Sequence, residues 1–436
     1  MRLHYFFATN VHSYMDFNIK FNKDLNFLAA LNGTGKTTVL NLIIALFKPS
    51  LKRLIEIDFD FVEIKFTLDN KDLNSISCKK KESTITLKLN NESQEFNYRG
   101  TRYIDDEDLK YEFKNTNMLS KIEQIATPMF LDLNRRFVKN TRIEDFDKND
   151  RFMYHSIKRK ETIDYDLSLE EVKELVKKSI NTITRIEVKR LEKLKKDFIL
   201  ESFKIQIVSV ENISNLPELE TIKKYKEKIS ETLRKLQLID DNSVIEDFFN
   251  TIEKNLTDII LLHNDKNKNK NKNSKDITNA ITSWIVNQPQ LQKIINLSEL
   301  IDNHQSSIKK LHQNKDNFQN AVNKFFEETQ KKLIIKENGD IEIEIKGKNR
   351  NINFLASGER QILIMLCHLY LNKELPKNGI FIIDEPELSL HLLWQEKFVD
   401  EIIKAKPDLQ IILATHSPAI IQNRDDKYIP LNNFNK

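Results

Sequence analysis

The chain has 436 residues, 39% of them apolar, which is room for roughly two or three domains and a substantial core. A formal net charge of +4 is too small over this length to imply a nucleic-acid or membrane partner by itself. The two cysteines, Cys78 and Cys367, stand far apart and without C-x-x-C spacing, which argues against a disulfide framework or a zinc site and for a reducing cytoplasm. Both thiols are expected to pack as small hydrophobes. No apolar run reaches the roughly 18 residues that a membrane span needs. The segment Leu3-His4-Tyr5-Phe6-Phe7 is too short for a signal peptide and reads as a strand.

Strand-like runs open the chain at Leu3–Ala8, Phe17–Phe21 and Phe27–Ala30. The last leads into Leu31-Asn32-Gly33-Thr34-Gly35-Lys36-Thr37-Thr38, followed by the apolar Val39–Ile44. Strand, glycine loop and helix in this order make a phosphate-binding loop, whose backbone N–H groups converge at a helix N-terminus. Lys36 is placed to reach β- and γ-phosphates, and the Thr37 hydroxyl to help hold Mg²⁺. Ala30 occupies the first position of the usual G-x-x-x-x-G-K-[ST] pattern, which Ala can fill where φ is negative.

Alternation in Phe61–Leu68 and Thr84–Leu89 reads as an antiparallel meander. Pro128–Leu133 reads as a buried strand ending at Asn134-Arg135-Arg136-Phe137. That arginine pair is open to two readings, a γ-phosphate or partner contact and a surface ion pair. None of the seven glycines lies between 101 and 338, and between 129 and 338 there are only two prolines, Pro217 and Pro289; a region so poor in breakers is expected to be helical. Leu169, Val172, Val176, Ile180 and Ile183 recur at helical spacing, as do Ala321, Val322, Phe325 and Phe326. The Lys/Asn run at 265–275 has nothing to bury and reads as a solvated, disordered loop near 264–276. A nucleic-acid role for its lysines is the other reading. Strands resume at Leu333–Lys336 and Ile341–Ile345 around an Asn338-Gly339-Asp340 turn, a hairpin signal.

Three further stretches lie near the C-terminus. Ala356-Ser357-Gly358-Glu359 opens a helix with an apolar face, where Ser357 is expected as the cap. Ile380–Ile383 is a fully apolar strand that ends in Asp384-Glu385, so its acids face a site at a parallel-sheet edge. Asp384 would hold Mg²⁺ through water, and Glu385 would polarise the attacking water. Leu409–Ala414 repeats the device and delivers Thr415-His416-Ser417-Pro418, with His416 at the γ-phosphate.

Phosphate loop, Ser-Gly-Glu, strand with Asp-Glu, and Thr-His-Ser in this order resemble the ATP-binding-cassette-type ATPases. Glu387-Leu388-Ser389-Leu390-His391 and the long helical insertion are similar to the SMC/RecF/OLD-like branch and unlike transporter ATPases. The resemblance implies an α/β fold: a P-loop ATPase head, with a mixed sheet flanked by helices, carrying a long helical, partly coiled-coil insertion. Residues 1–160 and 333–436 would form the two halves of the head, and 161–332 the insertion. It implies ATP and Mg²⁺ as cofactors, with Asn32, Gly33, Thr34, Gly35, Lys36, Thr37 and Thr38 on the nucleotide. Ser357, Gly358 and Glu359 of one subunit would close over ATP held by the other, with Leu388–His391 at the seam. Lys36, Glu385 and His416 would be catalytic, and Thr37 and Asp384 metal-bound. The glutamine loop of the family has two weak candidates, Gln94 and Gln124. Leu392 stands where the family often has proline.

About twenty residues follow the Thr-His-Ser segment, among them Asp425-Asp426, too few for the nuclease domain of OLD-type proteins. The chain thus resembles stand-alone ATPase subunits of bacterial anti-phage defence systems, Septu-like or retron-associated. That resemblance implies a cytoplasmic homodimer acting on a separate nuclease or toxin. Two other readings stay open: a DNA-repair or DNA-clamping ATPase, and a nucleotide-binding scaffold with little turnover that restrains a toxic effector.

Overall fold

The computed structural model describes residues 1–31, 33–49, 51–68, 72–97, 117–125, 128–131, 162–205, 218–235, 243–265, 274–373 and 378–431. In chain order, β1 (Arg2–Val11) and β2 (Met15–Lys20) form a hairpin, and β3 (Leu25–Ala29) runs through the glycine loop into α1 (Lys36–Phe47) and α2 (Leu51–Glu56). Then come β4 (Phe61–Thr67), β5 (Leu73–Lys81), β6 (Thr84–Leu89), β7 (Glu92–Asn97), α3 (Asn117–Glu123) and β8 (Met129–Leu131). The helical stretch holds α4 (Thr162–Phe203), α5 (Leu219–Lys235), α6 (Ser243–Asp265) and α7 (Ser274–Phe326). After it stand β9 (Lys331–Ile335), β10 (Ile341–Ile345), β11 (Lys348–Asn351), α8 (Ser357–Leu371), β12 (Ile380–Asp384), α9 (Leu392–Ala405), β13 (Gln410–Thr415), α10 (Pro418–Ile421) and β14 (Tyr428–Pro430).

Packing divides the chain into two units, Met1–Ser179 with Asn314–Lys436, and Ile180–Gln313. The first is built on two large sheets. One is a five-stranded sheet in the order β14-β3-β13-β12-β8, all of its pairs parallel. Its strands β3, β12 and β13 are buried at every position, as a sheet covered on both faces requires. The other is a six-stranded antiparallel sheet, β2-β1-β4-β5-β6-β7. Its strands alternate, with Val62, Ile64 and Phe66 of β4 and Ile85 and Leu87 of β6 turned into the core. That core is shared with α1, which buries Val39, Leu40, Leu42, Ile43 and Phe47. The expected parallel and antiparallel strands are thus both present, sorted into separate sheets. A third sheet, β11-β10-β9, contains the hairpin at Asn338-Gly339-Asp340.

The thiols of Cys78 and Cys367 are fully buried and free. Burial pushes Cys78 up to about 12 and Cys367 upward as well, so both sit as small hydrophobes.

The second unit has its own core of Leu194, Phe198, Ile222, Ile229, Phe249, Ile252, Leu256, Leu291, Ile294 and Ile301. Within it α4 and α7 lie antiparallel. Arg190 donates to the Ser307 carbonyl at 2.5 Å, Asn296 to the Glu201 carboxylate at 2.7 Å, and Lys293 to the Ser202 carbonyl at 2.9 Å. The unit is shorter than the 161–332 expected for the insertion. Val172 and Val176 of α4, and Phe318, Val322, Phe325 and Phe326 of α7, are buried within the first unit. Arg135, Arg136 and positions 266–273 of the Lys/Asn run lie outside the described residues. Among the described residues no helix is long and apolar enough to cross a membrane.

Candidate nucleotide site

The parallel register sets the site. Ala29 of β3 pairs with Thr415 of β13, and Asp384 of β12 pairs with Ala414. The glycine loop, the Asp-Glu pair and the Thr-His-Ser segment therefore leave the same C-terminal edge of one sheet, where α/β folds carry their sites.

In the loop, Gly33 and Gly35 take φ of +83° and +90°, the left-handed region that glycine enters without strain. A Cβ on Gly35 would also stand 2.8 Å from the Phe17 ring. Ala30 is outside the positive-φ region, so a methyl group there is tolerated. The Thr34 hydroxyl donates to the Leu31 carbonyl at 2.8 Å. Lys36 is buried, and its Nζ donates to the carbonyls of Ala30 at 2.8 Å and Leu31 at 3.2 Å. The ammonium is thus held at the start of α1, where helix dipole and cation both favour an anion. Asn32 lies outside the described residues.

Thr37 Oγ1 donates to Asp384 Oδ2 at 2.8 Å. Asp384 is 1% exposed, and a carboxylate so buried must be compensated. A hydroxyl and a carboxylate side by side are hard oxygen donors of the kind Mg²⁺ takes when phosphates and waters complete its shell, so the residues fit that ion. Thr38 Oγ1 lies 3.4 Å from His12 Nε2.

Glu385 follows with φ +47°, a left-handed conformation in a non-glycine residue. Its N–H donates to the Ala414 carbonyl at 2.8 Å. The strand pairing continues one residue past Asp384 and the chain then bends sharply, leaving Glu385 half-buried at the edge. Strain of this kind at a strand end is a mark of functional sites.

Glu387 is the residue that sequence reasoning missed. It is buried, accepts from Thr415 Oγ1 at 2.8 Å and from the His416 N–H at 2.8 Å, and meets His416 Nδ1 at 2.8 Å. The imidazole is thereby oriented by a carboxylate while its other face stays half-exposed. Gln395 completes the frame: it accepts from Ser417 Oγ at 2.6 Å and donates to the Leu390 carbonyl at 2.9 Å. Gln361 donates to the Pro386 carbonyl at 3.1 Å. In the sequence Glu387 stood only as the first residue of the Glu387–His391 segment and as a third carboxylate beside a strand end.

The helix α8 differs from expectation at its start. Ser357 is its first helical residue and Ala356 the cap. Ala356 has no polar side chain to cap with, and Glu359 supplies only the reciprocal half of a capping box: its Oε2 accepts from the Ala356 N–H at 2.7 Å and from Lys331 Nζ at 2.7 Å. Glu359 is therefore engaged within its own subunit, and Ser357 is exposed. A Cβ on Gly358 would lie 2.2 Å from the Ser389 carbonyl oxygen. The helix start and the loop after the acids touch there, backbone to backbone. Among the described residues no hydrogen bond ties Ser357 or Gly358 to the phosphate loop. Gln94 sits in β7 opposite Leu87, and Gln124 is exposed beyond α3. No described contact brings either to the site.

A phosphate loop, an adjacent hydroxyl–carboxylate pair, a strained glutamate and a carboxylate-held histidine on one parallel-sheet edge define a P-loop nucleotide-binding head. The family model described as "AAA ATPase domain" matches residues 1–421, and the chain belongs to that family. The retron Vc95 probable ATPase of Vibrio cholerae serotype O1 biovar El Tor is 31% identical over 103 residues, 22% of this chain and 20% of that protein. The retron Ec83 probable ATPase of Escherichia coli is 32% identical over 84 residues, 17% of this chain and 16% of that protein. The chain thus matches about a fifth or less of the length of these curated relatives. Among solved structures, the Smc head domain with an extended coiled coil from Pyrococcus furiosus aligns over 99% of this chain and 94% of its own, at 12% identity and a TM-score of 0.40. The Smc head with coiled coil and joint from Pyrococcus yayanosii aligns over 97% and 94%, at 13% identity and a TM-score of 0.37. Likenesses this remote carry no part of the reading.

Proposed function

We propose that the protein binds and hydrolyses ATP with Mg²⁺, that two copies close around ATP, and that this cycle controls a separate effector in bacterial anti-phage defence. The observation that carries the reading is the convergence of Lys36, Thr37, Asp384, Glu385 and His416 on one sheet edge.

In this reading the loop N–H groups and Lys36 grip the β- and γ-phosphates. Thr37 and Asp384 would hold Mg²⁺, which when bound would supply neutralising charge to the phosphates. Glu385 accepts a proton from the attacking water and orients it in line with the γ-phosphate. Glu387 fixes the imidazole of His416, which donates toward the charge that develops on the transferred group. Large apolar side chains stay exposed on the segments flanking the site: Leu31 at 83%, with Leu388, Leu392 and Leu393. Such exposure supports burial against a second copy, where Ser357 and Gly358 would meet the nucleotide. The defence role is supported by the probable retron ATPases among the relatives. The helical unit would carry the nucleotide state to the effector, and the antiparallel pairing of α4 and α7 supports a coiled-coil arm.

The test is the mass of Glu385→Gln by light scattering, with and without ATP and Mg²⁺, beside its turnover. An ATP-dependent doubling with turnover lowered at least 100-fold is expected. Lys36→Ala should neither double nor turn over. Wild-type turnover in Glu385→Gln would sink the assignment of the base. An ATP-independent assembly holding a second protein would favour the restraining scaffold.

A further inference from the structure

We infer that the outer face of the six-stranded antiparallel sheet is a platform for single-stranded nucleic acid. The inference does not rest on the ATPase reading, because this face belongs to a different sheet from the nucleotide site.

The strands of this sheet turn Leu3, Phe6, Ala8, Val62, Ile64 and Phe66 into the core. Their alternate positions point the other way, and on the neighbouring strands β1 and β4 three of these carry rings. Tyr5 and Phe7 on β1 lie parallel, with centroids 6.4 Å apart and planes 5° from each other. Phe61 on the neighbouring β4 is 6.2 Å from Phe7, tilted by 56°. Lys65 Nζ stands 5.7 Å from the centre of the Tyr5 ring. With Glu63, these residues line one shallow depression of about 460 Å³. An antiparallel sheet needs only one buried face, so three rings on the wet face are not required by the fold.

The register gives the surroundings. Tyr5 pairs with Lys20 and with Lys65; Phe61 pairs with Lys79; Ser77, opposite Glu63, pairs with Lys88; and Lys81 pairs with Thr84. Five lysines thus surround the rings on outward positions: Lys20, Lys65, Lys79, Lys81 and Lys88. The acids on these positions are Asp16, Glu63 and Glu95, and Glu63 is paired with Lys65 at 3.6 Å. Cation excess around an aromatic centre is complementary to a phosphate backbone with unstacked bases. A duplex keeps its bases stacked and offers such rings nothing to stack on, which selects the single strand.

The experiment is fluorescence anisotropy of the full-length protein with a labelled oligothymidylate of about twenty nucleotides, beside a duplex of equal length. The single strand should bind tighter than the duplex, with affinity falling as salt rises. Phe7→Thr and Phe61→Thr keep β-forming residues in the strands, and each should weaken binding roughly 5- to 100-fold. Their nucleotide-free circular dichroism and ATP turnover should stay at wild-type levels. Lys79→Glu with Lys88→Glu should weaken binding and flatten its salt dependence. In the wild type, photocrosslinking to a bromodeoxyuridine strand should label Tyr5, Phe7 or Phe61. No binding at about 50 mM salt, adducts confined to other segments, equal affinity for duplex, or folded ring variants that bind like wild type would each overturn the inference.

Discussion

The two large sheets of the first unit solve opposite problems. The parallel sheet is buried at every position of β3, β12 and β13, mostly with apolar side chains. Its strands leave no open face, so the candidate site lies where they stop, at Lys36, Asp384-Glu385 and His416. The antiparallel sheet buries one face only, and its polar and aromatic groups spread over the other. A sheet's burial thus decides whether a site sits at an edge or on a face.

The largest way to break that contrast is to truncate one residue in each sheet. Phe381→Ala, in β12 and fully buried, should cost about 3–5 kcal/mol of unfolding free energy. Thr86→Ala, on the wet side of β6, should cost within about 0.5–1 kcal/mol. Denaturant melts of the two variants measure the difference, and equal losses would refute it.

Gly358→Ala tests the contact between α8 and the loop after the acids. Its Cβ would press on the Ser389 carbonyl, a backbone atom that cannot rotate away, so a loss of about 1–3 kcal/mol is expected in the same melts.

Glu387→Gln sharpens the picture of the edge. The amide keeps the shape but loses the charge beside His416 Nδ1. On the proposed reading, turnover should fall roughly tenfold with KM little changed, because Glu387 holds His416 and would act through it. A change confined to KM would argue against that role.

The smallest effect is at the opposite end of the parallel sheet. Burial alone would raise the Asp24 carboxyl, but hydrogen bonds from Lys427 and the nearby backbone outweigh it and hold it below the usual carboxylate range. Lys427 Nζ lies 2.9 Å from Asp24 Oδ2. The pair therefore stabilises the fold above that range and loses its contribution as pH falls through it. Asp24→Asn should flatten the acid limb of stability against pH by less than about 1 kcal/mol, as for a solvent-screened pair.

The amino-acid sequence by itself determined the loop, the acids and the histidine, because each sits at a fixed short distance from an apolar strand that places it. It also pointed to the helices α4 to α7, since glycine is absent there and the apolar spacing is three and four. It did not determine that Ala356, a residue with no capping side chain, stands at the cap, its N–H held by Glu359. Only the tertiary structure decided that Glu387 grips His416, a partner 29 positions away. That contact exists because β12 and β13 run parallel in one register, so the turns beyond them meet. Register likewise brings together the ring pair across β1 and β4, and the packing of α8 on the loop after the acids brings Gly358 against Ser389. Local spacing is written in the chain, but which distant residues become neighbours follows from strand register, and register is fixed only when the sheets pack.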